Sequence, residues 1–351
     1  MESMGINTGT EFAPTSTYLN TASCGLLPRR AIDAIRTLAV ENGAGRPGGA
    51  GDFEVVDAAR AAFARIVGVA KGRVAVGGSV AVHAGLIAAS LPPGAEVLVP
   101  EGEFASIVNP FVLRGDLKMR YAPLDGLAEA VTPTTALVSF SAVQSADGRT
   151  ADLPAVRAAA AAHGARTLLD ATQAVGWLPL DADAYDYTLT GAFKWLLCPR
   201  GVSFLTVREE VQDSLVPLHG GWLAAADTWH STYGPLTELA PDARRFDEPT
   251  AFLAYHGAAA ALTLVEETGI DAIHAHDTAL AARYRAGLAE LGHVPVPGRA
   301  PIVSVPGLAD RAAELTRAGI LTSARAGHLR ATFHLYNTEA DVDRLLDVLS
   351  C

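Results

Sequence analysis

Three lysines occur in the chain, Lys71, Lys118 and Lys194, so covalent chemistry that needs a side-chain amine has few positions to use. Lys71 falls in a glycine-containing turn (AKGRV), and Lys118 stands near Asp116 and Arg120, both ordinary solvated settings. Lys194 lies in GAFKWLL, between Phe193 and Trp195. Removal from water penalises an ammonium, so apolar surroundings lower a lysine's pKa and free the neutral amine to attack a carbonyl. The same setting suits a structural lysine that buries its stem and turns its head to water. Upstream, Asp170 closes the apolar run RTLLD and is followed by Thr172 and Gln173. A carboxylate at the C-terminal end of a parallel strand stands where open α/β sheets bind ligands. There it can pair with a protonated pyridine nitrogen, which makes such a ring an electron sink, while Gln173 is placed to reach a ring hydroxyl. An aspartate after a strand also suits a helix cap, and the two roles are compatible.

Positioning these groups requires strands that end together. Apolar runs over 73–76, 95–100, 118–122, 136–140, 166–170, 185–190 and 202–207 alternate with alanine-rich helical stretches, the pattern of a parallel sheet covered by helices. The segment DLPAVRAAAAAH over 152–163 has an aspartate start and a Gly164 stop, and makes one clear crossover. Beyond Pro249 a long helical stretch leads to a mixed region, a strand over 329–336 and a last helix over 339–349, with Thr338 and Asp341 at capping-box spacing. The reading is a large α/β domain over 31–256 with a mainly parallel seven-stranded sheet, and a smaller α+β domain from 1–30 and 257–351. Gly43, Gly45 and Gly48 match GxGxxG, but they follow a helical stretch over 31–40 instead of a strand, so a loop is expected and a nicotinamide cofactor is not.

With 351 residues, half of them hydrophobic and 19% charged, the chain can bury a sizeable core. A net charge of -11 without a basic stripe argues against nucleic acid or an anionic membrane as partner, and favours a small molecule. Cys24, Cys198 and Cys351 lie far apart with no metal-ligand spacing, so neither zinc nor a disulfide framework is expected. Residues 1–12 lack the basic start and apolar stretch of a signal peptide, and a cytoplasmic location is expected.

DATQAV and TGAFKWLLCPRG resemble the Asp-x-x-Gln and Lys-Trp segments of class V aminotransferase-like enzymes, a superfamily that includes cysteine desulfurases, kynureninase and isopenicillin N epimerase. The resemblance runs along nearly the whole chain and implies fold type I, pyridoxal 5'-phosphate, an amino-acid substrate and Lys194 as the Schiff-base lysine. In YLNTASCGLLP it implies substrate contacts from Asn20, Thr21 and Ala22. In GGSV it implies a phosphate site at Gly78, Ser79 and Val80, although a glycine turn with a serine cap reads the same way. EFASIV implies Phe104 stacked on the pyridine ring where desulfurases carry histidine, and VQSADGR places Ser145 near the family's cofactor- or substrate-contacting asparagine. Thr190 falls near the hydroxyl residue used on the phosphate, and Phe193 replaces the histidine before the lysine. RRFDEPT implies that Thr250 reaches the phosphate of a partner subunit, and HGGW brings Trp222 toward the neighbouring site, so a homodimer with active sites at its interface is implied.

In LRATFHLY, strand alternation turns Arg330 to the polar face with Thr332, His334 and Tyr336, and the match to the family's carboxylate-binding arginine implies a grip on the substrate carboxylate. A surface salt bridge is the alternative. The segment GILTSARAGHLRATF is shortened and holds no cysteine where a desulfurase takes up sulfur. The chain looks most like actinobacterial carbon–sulfur lyases of ergothioneine or lincosamide pathways, which implies β-elimination from an S-conjugated cysteine after Lys194 removes the α-proton. Transamination, epimerisation and decarboxylating oxidative deamination of the same substrate type stay open, as does a binding protein that keeps the fold without activity.

Overall fold

A computed structural model of the chain describes residues 9–350, so Cys351 and most of the opening segment over 1–12 lie outside the described residues. The chain begins with strand β1 (Thr17–Tyr18), then helices α1 (Arg29–Gly43) and α2 (Phe53–Ile66), strand β2 (Val74–Gly77), helix α3 (Val80–Ser90), strand β3 (Glu96–Pro100) and a short helix α4 (Asn109–Val112). Next come β4 (Lys118–Ala122), β5 (Thr135–Ser141), α5 (Leu153–His163), β6 (Arg166–Asp170), β7 (Tyr187–Gly191) and β8 (Ser203–Val207). Helices α6 (Phe252–Thr268) and α7 (Ile270–Glu290) lead to β9 (Ile302–Pro306), α8 (Arg311–Arg317), β10 (Ile320–Leu321), β11 (Ser323–Arg325), β12 (His328–Thr332) and α9 (Glu339–Leu349).

All seven expected strands of the large sheet form, in the order β2-β8-β7-β6-β5-β3-β4. From β7 to β4 the pairings are parallel, while β8 runs antiparallel to both β7 and β2. Strands covered on both faces read as continuous apolar runs, and every residue of β7 and β8 is buried. One face packs under α1, α2, α5 and α6, with Phe63 stacked on Phe204 at 4.1 Å, and the other packs under α3. Helix α5 starts where expected: the Asp152 side chain accepts from the Ala155 N–H at 3.0 Å, and Gly164 ends it at a φ of 70°. Gly43 closes α1, Gly45 follows it and Gly48 lies in a short 3-10 turn over Pro47–Ala50, so the three glycines follow a helix and not a strand.

The C-terminal third builds a three-stranded sheet, β11-β12-β9, whose core joins Tyr284 of α7, Phe333, and Leu345 of α9. The capping box at Thr338 and Asp341 is present. The strand expected over 329–336 is shorter, ending at Thr332. Its continuation is diverted by a turn in which the Asn337 N–H donates to the His334 carbonyl and the Asn337 side chain accepts from the His334 N–H. The N-terminal segment joins this third, because β1 pairs with β10 and the Thr332 N–H donates to the Leu19 carbonyl. It then passes over the end of β7. Among the described residues no helix is long and apolar enough to cross a membrane.

Candidate active site

Strand β7 delivers the chain into a tight turn that carries Lys194, and glycines let neighbouring backbone close on it. The Gly25 N–H donates to the Phe193 carbonyl at 2.9 Å, and a Cβ at Gly25 would stand 2.0 Å from the Lys194 carbonyl oxygen. A Cβ at Gly176, where φ is +114°, would stand 2.4 Å from the Trp195 carbonyl oxygen. Buried Leu197 completes the turn at a φ of 58°, a left-handed conformation that costs a leucine energy and persists because the packing enforces it. Behind the turn, the Trp195 indole N–H donates to Gln173 Oε1 at 2.8 Å, while His334 Nε2 lies 3.0 Å from the Trp195 carbonyl and its Nδ1 is 2.7 Å from Asp277.

Lys194 is buried, and its Nζ makes no hydrogen bond or ion pair with another described residue. Nζ lies 5.3 Å from the Phe104 ring centroid and 5.6 Å from that of Phe193. Burial pulls the ammonium down to about 8, against Asp170, which raises it, and with Arg330, Arg200 and Arg325, which lower it further. Asp170 ends β6, accepts from the Thr172 N–H at 2.9 Å, and has its carboxyl pushed up by burial. The lysine is thus a partly neutral amine at ordinary pH, held between aromatic faces.

A cavity of about 330 Å³ opens beside Nζ, a size suited to a cofactor with a small substrate. Of the residues singled out in the sequence, Gly78, Ser79, Val80, Phe104, Ser145, Asp170, Gln173 and Lys194 line it. Phe104 is 47% exposed, and an apolar ring left open on a cavity wall is a flat face for another ring. Helix α3 starts at the opposite end, where its first amides have no intrahelical acceptors and Ser79 Oγ caps the Val82 N–H at 3.4 Å. Gln173 is more committed than its sequence position suggests, since its amide N–H donates to the Ala22 carbonyl at 2.9 Å while its oxygen holds Trp195.

Thr190 does not line the cavity. Alternation along β7 turns Gly191 toward it instead, so no hydroxyl is presented from this strand, and Thr190 Oγ1 is buried without a partner. Trp222 packs edge-on against Phe53 at 5.7 Å, and Thr250 lines a second cavity with Arg60 and Asp247, so neither lines the cavity beside Lys194. Thr21 has its hydroxyl bonded to Tyr336 at 2.5 Å and acts as a strut, while Asn20 Oδ1 is buried with no donor. Ala22 is buried and donates its N–H to Thr332.

Arg330 lies just behind the cavity wall. It donates to the Ser145 carbonyl, to Ser323 Oγ at 3.1 Å and to Ser23 Oγ at 2.8 Å. None of these acceptors is charged, and burial with the nearby Arg325 lowers the guanidinium to about 10. Three further contributors stand inside the family-like segments TGAFKWLLCPRG, EFASIV and RRFDEPT, where the local sequence gives them no role of their own. Arg200 lines the cavity and covers the Phe193 ring at 4.4 Å. Glu103 accepts from the Ser141 N–H and hydroxyl, the Gln144 amide and the Phe104 N–H, fixing one wall. Glu248, set beside the buried Arg60–Asp247 pair, accepts from the Gly78 N–H at 2.5 Å. Only the folded chain brings these three to the site.

An electrophile-seeking lysine beside a buried carboxylate, at the C-terminal ends of a mainly parallel sheet, with an open aromatic face and a helix start across the cavity, defines a pyridoxal-phosphate-dependent enzyme of fold type I. The aminotransferase class-V family model matches residues 17–345, and the chain belongs to that family. An uncharacterized aminotransferase of Bacillus subtilis, YcbU, is 26% identical over 85% of this chain and 84% of its own length. Isopenicillin N epimerase of Amycolatopsis lactamdurans is 32% identical over 60% of this chain and 58% of its length, and a probable cysteine desulfurase of Streptomyces coelicolor 28% over 72% and 68%. Among solved structures, a cystine C–S lyase, C-DES, superposes with a TM-score of 0.86 at 24% identity over 96% of this chain and 97% of its own, which bears on the fold.

Proposed function

We propose that this enzyme cleaves the β carbon–sulfur bond of an S-conjugated cysteine, releasing a thiol, pyruvate and ammonia. Bound pyridoxal phosphate supplies the electron sink for such chemistry. In this reading Asp170 would pair with the ring nitrogen, Phe104 would cover the ring face, and the α3 amides with Ser79 and Arg200 would hold the phosphate, since all of them line the cavity beside Lys194. Arg330 takes the α-carboxylate, a charged acceptor that its three neutral partners do not provide. Lys194, once free, takes the α-proton on Nζ; with its pKa near 8, the neutral base is available at neutral to mildly alkaline pH. The electron pair of the broken C–H bond forms the double bond between the α and β carbons while the pair of the C–S bond departs with the sulfur, which takes up a proton as the thiol, and water hydrolyses the released enamine to pyruvate and ammonia.

The observation that carries elimination over sulfur transfer is the link between β11 and β12. Ala326 and Gly327 join the two strands directly, leaving no cysteine-bearing loop there. Cys198 is buried, with its thiol pushed up by burial. We further place the enzyme in the cytoplasm as a homodimer in which Thr250 serves the partner's phosphate, with a large domain over 31–256 and a small one from 1–30 and 257–351. Holoenzyme incubated with S-alkyl cysteines should yield pyruvate and thiol in equal amounts, and Cys24→Ala should do the same. Formation of alanine and sulfane sulfur from cysteine, lost in Cys24→Ala, would overturn the lyase reading in favour of a desulfurase.

A further inference from the structure

The chain carries 38 acidic residues against 27 basic ones, and its exposed arginines commonly find carboxylates, as Arg65 does with Glu266 and Arg283 with Asp343. Two arginines near the cavity do not: Arg330, buried behind its wall, and Arg325, exposed beside it on Ser23. The two-residue turn of Ala326, at φ +48°, and Gly327, at φ +80°, brings Arg325 back over the N-terminal segment, where its Nη2 donates to Ser23 Oγ at 3.4 Å. Arg330 Nη2 donates to the same oxygen at 2.8 Å. The remaining partner of Arg325 is the neighbouring Ala324 carbonyl at 2.8 Å. Two like charges therefore converge on one neutral hydroxyl, with no described carboxylate in ion-pair contact with either. The acids of the lysine site have other partners: Asp170 accepts from the Thr172 N–H, and Glu103 from Ser141, Gln144 and Phe104.

Such an arrangement is unfavourable until anions arrive, and the two guanidiniums lie at different depths. Arg330 is buried behind Ser145, whereas Arg325 is exposed on the solvent side. We propose that Arg325 forms a rim subsite for a second acidic group, so that the enzyme selects amino acids whose side chain ends in an anion beyond the scissile bond. This rests on the reading that Arg330 takes the α-carboxylate. The inner arginine then fixes the amino-acid end and the outer one the distal acid, the two sites meeting at the Ser23 hydroxyl.

The test uses isosteric pairs that differ only in the distal charge. L-2-aminoadipate and its 6-amide lack a β-leaving group and report binding to holoenzyme by calorimetry. S-carboxymethyl-L-cysteine and S-carbamoylmethyl-L-cysteine report turnover. The acid should bind at least about tenfold more tightly than the amide, the scale of a hydrogen-bonded charge pair. In Arg325→Gln that ratio should fall toward one, and Arg325→Lys should restore part of it. Equal binding of acid and amide to the wild type would overturn the subsite. So would an Arg325→Gln variant that loses affinity for both and keeps the ratio, since both arginines would then grip one carboxylate. Selective binding governed by Arg325 without pyruvate from either S-conjugate would uphold the subsite and sink the elimination reading. Equal turnover of both S-conjugates, with no preference in binding, would do the reverse.

Discussion

Lys194 is held between burial, which favours its neutral form, and Asp170, which favours the ammonium; burial prevails. The pH dependence follows from that order. Pyridoxal phosphate should recombine with apoenzyme at a rate that climbs as the amine deprotonates and levels off above about pH 8, not near the ordinary lysine value of 10.5, as stopped-flow absorbance would show. Because Asp170 raises the lysine's pKa, Asp170→Asn should shift this plateau to lower pH. Its turnover should also fall by a factor on the order of 100 through loss of the ring-nitrogen partner. A plateau unmoved in Asp170→Asn would mean that the two groups are uncoupled. Arg330→Ala should raise KM for amino-acid substrates by roughly ten- to a hundredfold with a smaller change in kcat, the mark of lost ground-state binding. Lys194 and Asp170 were legible in the sequence because lysine is scarce and the aspartate ends an apolar run. Thr190 faces away from the cavity because successive residues of a strand point to opposite faces, so the cavity receives Gly191 instead. Arg200 and Glu103 lie inside quoted segments, six residues after the lysine and one before Phe104, but what they touch is set by the fold and not by their local pattern.

At the scale of elements, the turn after β7 is shaped by what cannot stand beside it. Gly25 comes from a segment anchored by β1 and β10, and Gly176 from the stretch following β6, and both meet carbonyl oxygens of the lysine turn. Backbone cannot rotate away as a side chain can. Gly25→Ala is therefore expected to cost about 1–3 kcal/mol of stability, read by denaturant unfolding, and to lower cofactor occupancy as the turn shifts. A fully loaded Gly25→Ala of unchanged stability would show that the N-terminal segment does not position Lys194. Neither close approach can be seen in the sequence, where both glycines look like ordinary loop residues. The strands were visible because those buried on both faces are apolar throughout, and α5 and α9 because their caps are local chemistry. The end of β12 was not visible: alternation continues through Phe333, His334, Leu335 and Tyr336, but the long-range hold of Asn337 on Tyr18 and the turn at His334 overrule it.

For the whole molecule, the part of the surface that a single chain leaves unexplained is aromatic. Phe53, Trp222 and Trp229 pack edge to face at 5.7 and 5.9 Å, yet Trp229 stays 70% exposed, and Tyr233 nearby in sequence is 91% exposed. Apolar surface left open in this way is expected to form an interface. The same region holds Thr250, which lines the second cavity and not the one beside its own Lys194, and is expected to serve a partner's phosphate. Assembly and cofactor retention should then fail together. Trp229→Glu places a charge in the patch without touching the core, so its helical content should be unchanged by circular dichroism. Sedimentation should show the wild type as a dimer and Trp229→Glu as a monomer that loses pyridoxal phosphate faster on dialysis. Thr250→Ala separates the two effects, because it should remain dimeric while losing cofactor faster. A Trp229→Glu protein that stays dimeric and fully loaded would place the interface elsewhere and leave the aromatic patch without a role in the active site.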